Sequence, residues 1–92
     1  MVYPFMTLND GTEIAHTEAV MNGNNEQVKV YIEKAVEGGF NSAECILPEY
    51  EWSNIQGFSE KEMSYLKEFI ESTAHVIIRL ARCGGFENAS GF

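Results

Sequence analysis

Ser59 to Gly84 is written as a helix from one end to the other, and its apolar circumference is wider than a flat packing surface can cover. Ser59-Glu60-Lys61-Glu62 fits a capping box, in which the Ser59 hydroxyl accepts from the Glu62 amide and the Glu62 carboxylate accepts from the Ser59 amide. Phe58 and Met63 flank that box as a hydrophobic staple. Glu60 and Glu62 sit at the positive end of the helix dipole, and Arg79 and Arg82 near the negative end. Gly84 suits the left-handed position that stops a helix. Met63, Leu66, Ile70, Ala74, Ile77 and Ala81 form one apolar stripe. Leu66, Phe69, Thr73, Val76, Leu80 and Cys83 form a second beside it. An ordinary surface helix shows a stripe of about 100°, and this one spans about twice that. The excess calls for a sheet that curls around the helix, for a second subunit on Phe69, Val76 and Cys83, or for a loop or tail.

The preceding residues read as strands. Val2 to Leu8 is one, and Asn9-Asp10-Gly11 is a hairpin signal, because Asp-Gly supplies the positive φ of a tight turn. Thr12 to Met21 is the second strand, closed by Asn22-Gly23-Asn24-Asn25. Gln27 to Lys34 is the third. Val28, Val30 and Ile32 point one way and Lys29, Tyr31 and Glu33 the other. After Gly38-Gly39, Phe40 to Leu47 gives a fourth, stopped by Pro48. Residues 50–55 are either a fifth strand or an irregular connection. Short turns favour antiparallel pairing, since parallel strands need long crossovers. The expected fold is α+β: an antiparallel meander of four to five strands over 2–55, then one long C-terminal helix over 59–83 packed across a curved sheet. The tail, 85–92, follows, and either docks by Phe86 or stays mobile as termini often do. Ninety-two residues suffice for this one domain and one small core.

Charge limits the partners. The net charge is −8, of which residues 1–58 carry −7, with nine acids against Lys29 and Lys34. A field of that sign disfavours nucleic acid and anionic membrane and favours a basic protein surface. No apolar run approaches the ~20 residues of a membrane span, and the N-terminus lacks the basic and apolar regions of a secretory signal. Cys45 and Cys83 lie far apart and outside any CxxC pattern, as expected of reduced thiols in a cytoplasmic protein.

Candidate chemistry is sparse. Glu71, His75 and Arg79 stand four residues apart on the polar strip, where His75 could serve as a base or the three as an ion-pair ladder. No neighbouring nucleophile favours the first. His16 and Glu18 share a nominal strand face, but two ligands are too few for the usual zinc set. Glu49-Tyr50-Glu51-Trp52 combines aromatics with carboxylates, as a recognition patch does, although a tryptophan more often packs on a helix. Glu49 and Glu51 would share a face if both lay in a strand. Phosphate-binding glycine loops, GxSxG and HExxH are all missing from the sequence.

The segments Tyr3-Pro4-Phe5-Met6-Thr7-Leu8-Asn9-Asp10-Gly11-Thr12-Glu13-Ile14, Val28-Lys29-Val30-Tyr31-Ile32-Glu33-Lys34 and Ala81-Arg82-Cys83-Gly84-Gly85-Phe86 together resemble a group of small uncharacterised bacterial proteins. The resemblance spans most of the chain. It implies a bacterial, cytoplasmic protein and transfers no catalytic or binding residue.

The expected function is therefore a small acidic, non-enzymatic binding or regulatory module acting through protein–protein contacts. Its partner is a protein, a basic one or a second copy joined through the helix, and no cofactor or metal is expected. The alternative is a small-ligand protein or enzyme with a pocket between curved sheet and helix. Tyr31, Tyr50, Trp52 and Tyr65 are the candidate lining, and Phe69 and Val76 the candidate contacts of the second helix stripe.

Overall fold

Alternation along the strands gives the sheet one apolar face, and the helix covers it. The computed structural model describes residues 1–84, so the expectation for the tail 85–92 lies outside the described residues. The elements are β1 (Val2–Thr7), β2 (Glu13–Thr17), β3 (Val20–Asn22), β4 (Asn25–Val36), β5 (Gly39–Leu47), β6 (Glu51–Gln56) and α1 (Glu60–Cys83). All pairings are antiparallel, in the order β1-β2-β4-β5-β6, with β3 paired to the start of β4. The fold is the expected α+β meander followed by one helix, on a curved, open sheet.

Two strand expectations change. The single second strand over Thr12 to Met21 is instead β2 and β3, interrupted at Glu18 and Ala19. The interruption frees the Ala19 amide, which donates to the carbonyl of Ala81 near the helix end at 3.3 Å. Residues 51–56 are a true strand, β6, so the sheet has six strands rather than four or five.

The turns follow the residues that define them. Between β1 and β2, Leu8 N–H donates to Thr12 O at 2.8 Å and Gly11 takes φ 91°. A carboxylate oxygen of Asp10 accepts from Thr12 N–H at 2.9 Å. The β3–β4 hairpin turns on Gly23, at φ 66°. Gly57 joins β6 to the helix at φ 85°, with the Asn41 side chain where a Cβ would stand.

The helix ends as its sequence predicts. Ser59 Oγ accepts from Glu62 N–H at 3.1 Å, and Glu62 Oε1 accepts from Ser59 N–H at 2.9 Å. These bonds satisfy donors that a helix start otherwise leaves open. They also hold the Glu62 carboxyl below its ordinary pKa. Gly84 closes the other end at φ 81°. Arg82 forks onto Glu26, with Nη2 to Oε1 at 2.6 Å and Nε to Oε1 at 2.9 Å, tying the helix end to the start of β4.

The core lies between the helix and one sheet face. Ile14, Val28, Val30, Ile32, Ala43, Cys45 and Leu47 are buried from the sheet. Met63, Leu66, Ile70, Ala74, Ile77, Leu80 and Ala81 are buried from the helix. Phe5, the extra residue where the β1–β2 register shifts, is also buried there. The first helix stripe is thus wholly covered. The second is only partly so, because Leu66 and Leu80 are buried whereas Phe69, Thr73, Val76 and Cys83 are half-buried. A curved sheet therefore accounts for most of the wide apolar face. Cys45 lies in this core, and burial pushes its thiol pKa up to about 12, which makes it inert. Both cysteines are free.

Candidate functional site: the uncovered face of the sheet

Among the described residues, no element covers the other face of the sheet, which strand register orders into rows. Pro4, Ala15, Tyr31, Glu44 and Ser53 form one row across five strands. Thr7, Glu13, Glu33, Ser42 and Gln56 form the next. On the other side of the first row, Lys29 pairs with Ile46 and Ile46 with Glu51, while Val2 pairs with Thr17. A solvated sheet face is ordinarily polar. Here Val2, Ala15 and Tyr31, with Glu13 and Glu33, line a shallow depression of about 320 Å³.

The two sides of Tyr31 differ in charge balance. On one side Lys29 Nζ lies 3.1 Å from Glu44 Oε1 and 5.8 Å from the Tyr31 ring centre. Asn54 Nδ2 donates to Glu44 Oε2 at 3.1 Å. Lys29 and Asn54 together hold Glu44 below its ordinary pKa, and the hydrogen bond to Glu44 raises that of Lys29. On the other side Glu13 and Glu33 are directly opposed across β2 and β4. Such side chains have Cβ atoms ~5 Å apart, and like charges there oppose sheet formation. Among the described residues, no ion pair reaches either carboxylate.

The sheet edges are poorer contact surfaces. β1 carries Pro4, which has no N–H, and a register shift at Phe5. β6 has its own register shift and a positive φ at Asn54. Interruptions of this kind blunt an edge against strand addition.

The residues expected to line one pocket lie apart. Tyr31 is on the uncovered face, opposite the helix. Trp52 is half-buried and packs on the core. Tyr50 is exposed in the turn before β6, at φ 58°. Tyr65 is exposed on the helix, and with Leu8, Phe58 and Leu66 it lines a separate cleft of about 300 Å³ beside the helix start. Phe69 and Val76 pack on the core edge. The structure therefore assembles no single pocket from Tyr31, Tyr50, Trp52 and Tyr65. Glu13 and Glu33, which no sequence pattern singles out, are the neighbours it gives Tyr31.

Other sequence candidates also separate. His16 points into the core and is fully buried, its Nδ1 2.7 Å from Thr17 O, whereas Glu18 is exposed near the N-terminus. The two cannot share a metal. Nδ1 donates to that carbonyl, and Nε2 has no hydrogen-bond partner among the described residues. Glu49 lies in a turn and accepts from Gln27 at 3.0 Å, whereas Glu51 is in β6, so no strand face pairs them. Glu71, His75 and Arg79 are exposed, and no ion pair among the described residues joins them into a ladder.

The described helix is not apolar enough to cross a membrane. No protein-family model, curated protein or solved structure matches the chain.

Proposed function

We propose that this chain is a small acidic, non-enzymatic binding module that acts through protein–protein contacts, with the uncovered sheet face as its contact surface. One observation carries the reading. Among the described residues, a face with no covering element joins apolar and aromatic side chains to a pair of carboxylates that no cation neutralises. Apolar surface rimmed by polar groups is characteristic of interaction sites. The bacterial, cytoplasmic setting implied by the sequence resemblance belongs to the same proposal.

Site-specific photo-cross-linking in cells that express the chain natively tests it. A photoreactive residue at Ala15 should give a discrete protein adduct. One at Glu68, on the solvent side of the helix, should not. Equal, diffuse labelling from both positions, or none from Ala15, would remove the outer face as the contact surface.

A second reading has its own observation. The cleft lined by Leu8, Phe58, Tyr65 and Leu66, with Asp10, Thr12, Lys61 and Glu62, exposes mainly apolar surface beside the helix start, which suits a small ligand. Fragment screening by NMR that moves Leu8 and Tyr65, while leaving Ala15 and Tyr31 unmoved, would favour that reading over the protein contact.

A further inference from the structure

We infer that the depression beside Tyr31 receives an arginine side chain from a basic segment of the partner protein, seated over the Tyr31 ring between Glu13 and Glu33. The inference rests on the outer face being the binding surface, and it names what that face selects.

Three features point to this occupant. The first is charge. Glu13 and Glu33 oppose each other with no cation of the described residues between them, so an incoming cation relieves a repulsion as well as forming an attraction. The second is the ring. Tyr31 lines the open depression and is only half-buried, and its ring already lies 5.8 Å from one cation, Lys29 Nζ, on the side away from Glu33. The third is the shape and polarity of the floor. Val2 and Ala15 offer apolar surface to the methylene stem, while Glu13 and Glu33 line the same depression.

Guanidinium fits this set better than ammonium. It is planar, stacks on an aromatic face, and presents several N–H donors that two carboxylates can share. Competing occupants fail on the same features. A second copy would bring Glu13, Glu33, Glu44 and Glu51 toward their own kind, with Lys29 the one cation in the same rows. Nucleic acid and anionic lipid meet the same repulsion. Two carboxylates beside apolar side chains give a hard cation too few oxygen ligands.

Titration of the isotopically labelled full chain with a synthetic peptide of alternating arginine and leucine, followed by NMR, tests the inference. The lysine and citrulline versions of that peptide are the controls. The arginine peptide should shift the amides of Glu13, Ala15, Tyr31 and Glu33. The lysine version should bind several-fold more weakly, and the citrulline version should give no shifts. The double variant Glu13→Gln, Glu33→Gln should weaken the arginine peptide by about tenfold or more, as loss of a charge-assisted contact does. Tyr31→Leu should also weaken it while leaving the core resonances in place.

Shifts of equal size at Glu60, Glu68 and Glu71 would reduce the effect to diffuse attraction by an acidic chain and overturn the inference. So would an unchanged affinity in the double variant, or no shifts at all. If the peptide fails while Ala15 still cross-links to one protein, the arginine occupant falls and the contact surface stands. If Ala15 yields no adduct either, both fall.

Discussion

The two faces of the sheet are built from alternate residues of the same strands, yet they meet different conditions. On β4, Val28, Val30 and Ile32 are buried under the helix, whereas Lys29, Tyr31 and Glu33 face outward. The inner face is settled by packing. Its central positions contribute to one core, and the helix supplies their complement. The outer face is unsettled. It keeps an aromatic ring, a shallow apolar floor and two opposed carboxylates that a purely solvated surface does not need. Packing is therefore concentrated on one face, while the proposed recognition surface is on the other, so changes on the two faces should have separable effects.

The sharpest way to break that comparison is to truncate one residue on each side. Ile70→Ala removes a fully buried side chain from the helix–sheet core and should cost about 3 kcal/mol in urea unfolding. Tyr31→Ala on the outer face should cost about 1 kcal/mol or less. Equal losses would mean that Tyr31 is structural and that the faces are not separable.

The cover over the inner face depends on its caps. Ser59→Ala removes the acceptor for Glu62 N–H and should lower stability by about 1 kcal/mol, read in the same unfolding experiment. A smaller effect comes from the carboxylate of that cap. Glu62 has a lowered folded pKa because it accepts from Ser59. Its contribution is present above the ordinary carboxylate range and disappears as pH falls through the folded value. Glu62→Gln should therefore lose less stability than the parent chain between about pH 5 and pH 3. Parallel stability–pH curves would contradict the assignment.

The smallest expected change has the opposite sign. Glu13→Gln or Glu33→Gln alone should stabilise the fold by a few tenths of a kcal/mol, because either relieves the opposed pair. A destabilisation of similar size would show that these carboxylates serve the fold rather than a partner.

Much of the architecture is legible in the order of the residues alone. The helix limits follow from Ser59, Glu62 and Gly84, whose roles are local. The alternation of β4 is local too, and it carries a signal against one expectation. Residues that alternate with Val30 and Ile32 cannot face the helix, so Tyr31 has no place in a pocket between sheet and helix. The break between β2 and β3 is hidden for the opposite reason. Ala19 leaves the strand to donate to Ala81, a partner far along the chain that nothing near Ala19 announces. Glu13 and Glu33 are hidden in the same way. Each is an ordinary exposed glutamate in its own segment, and only the pairing register makes them a pair.

The Ala19–Ala81 hydrogen bond gives the molecule a built-in reporter. Ala19 lies between two strands, but its amide is closed by the helix rather than by a neighbouring strand. Hydrogen exchange at this amide therefore follows lifting of the helix end, while exchange along β4 follows opening of the sheet. Comparing the two amide rates reads the coupling between the layers in one sample, with no label attached and no residue replaced.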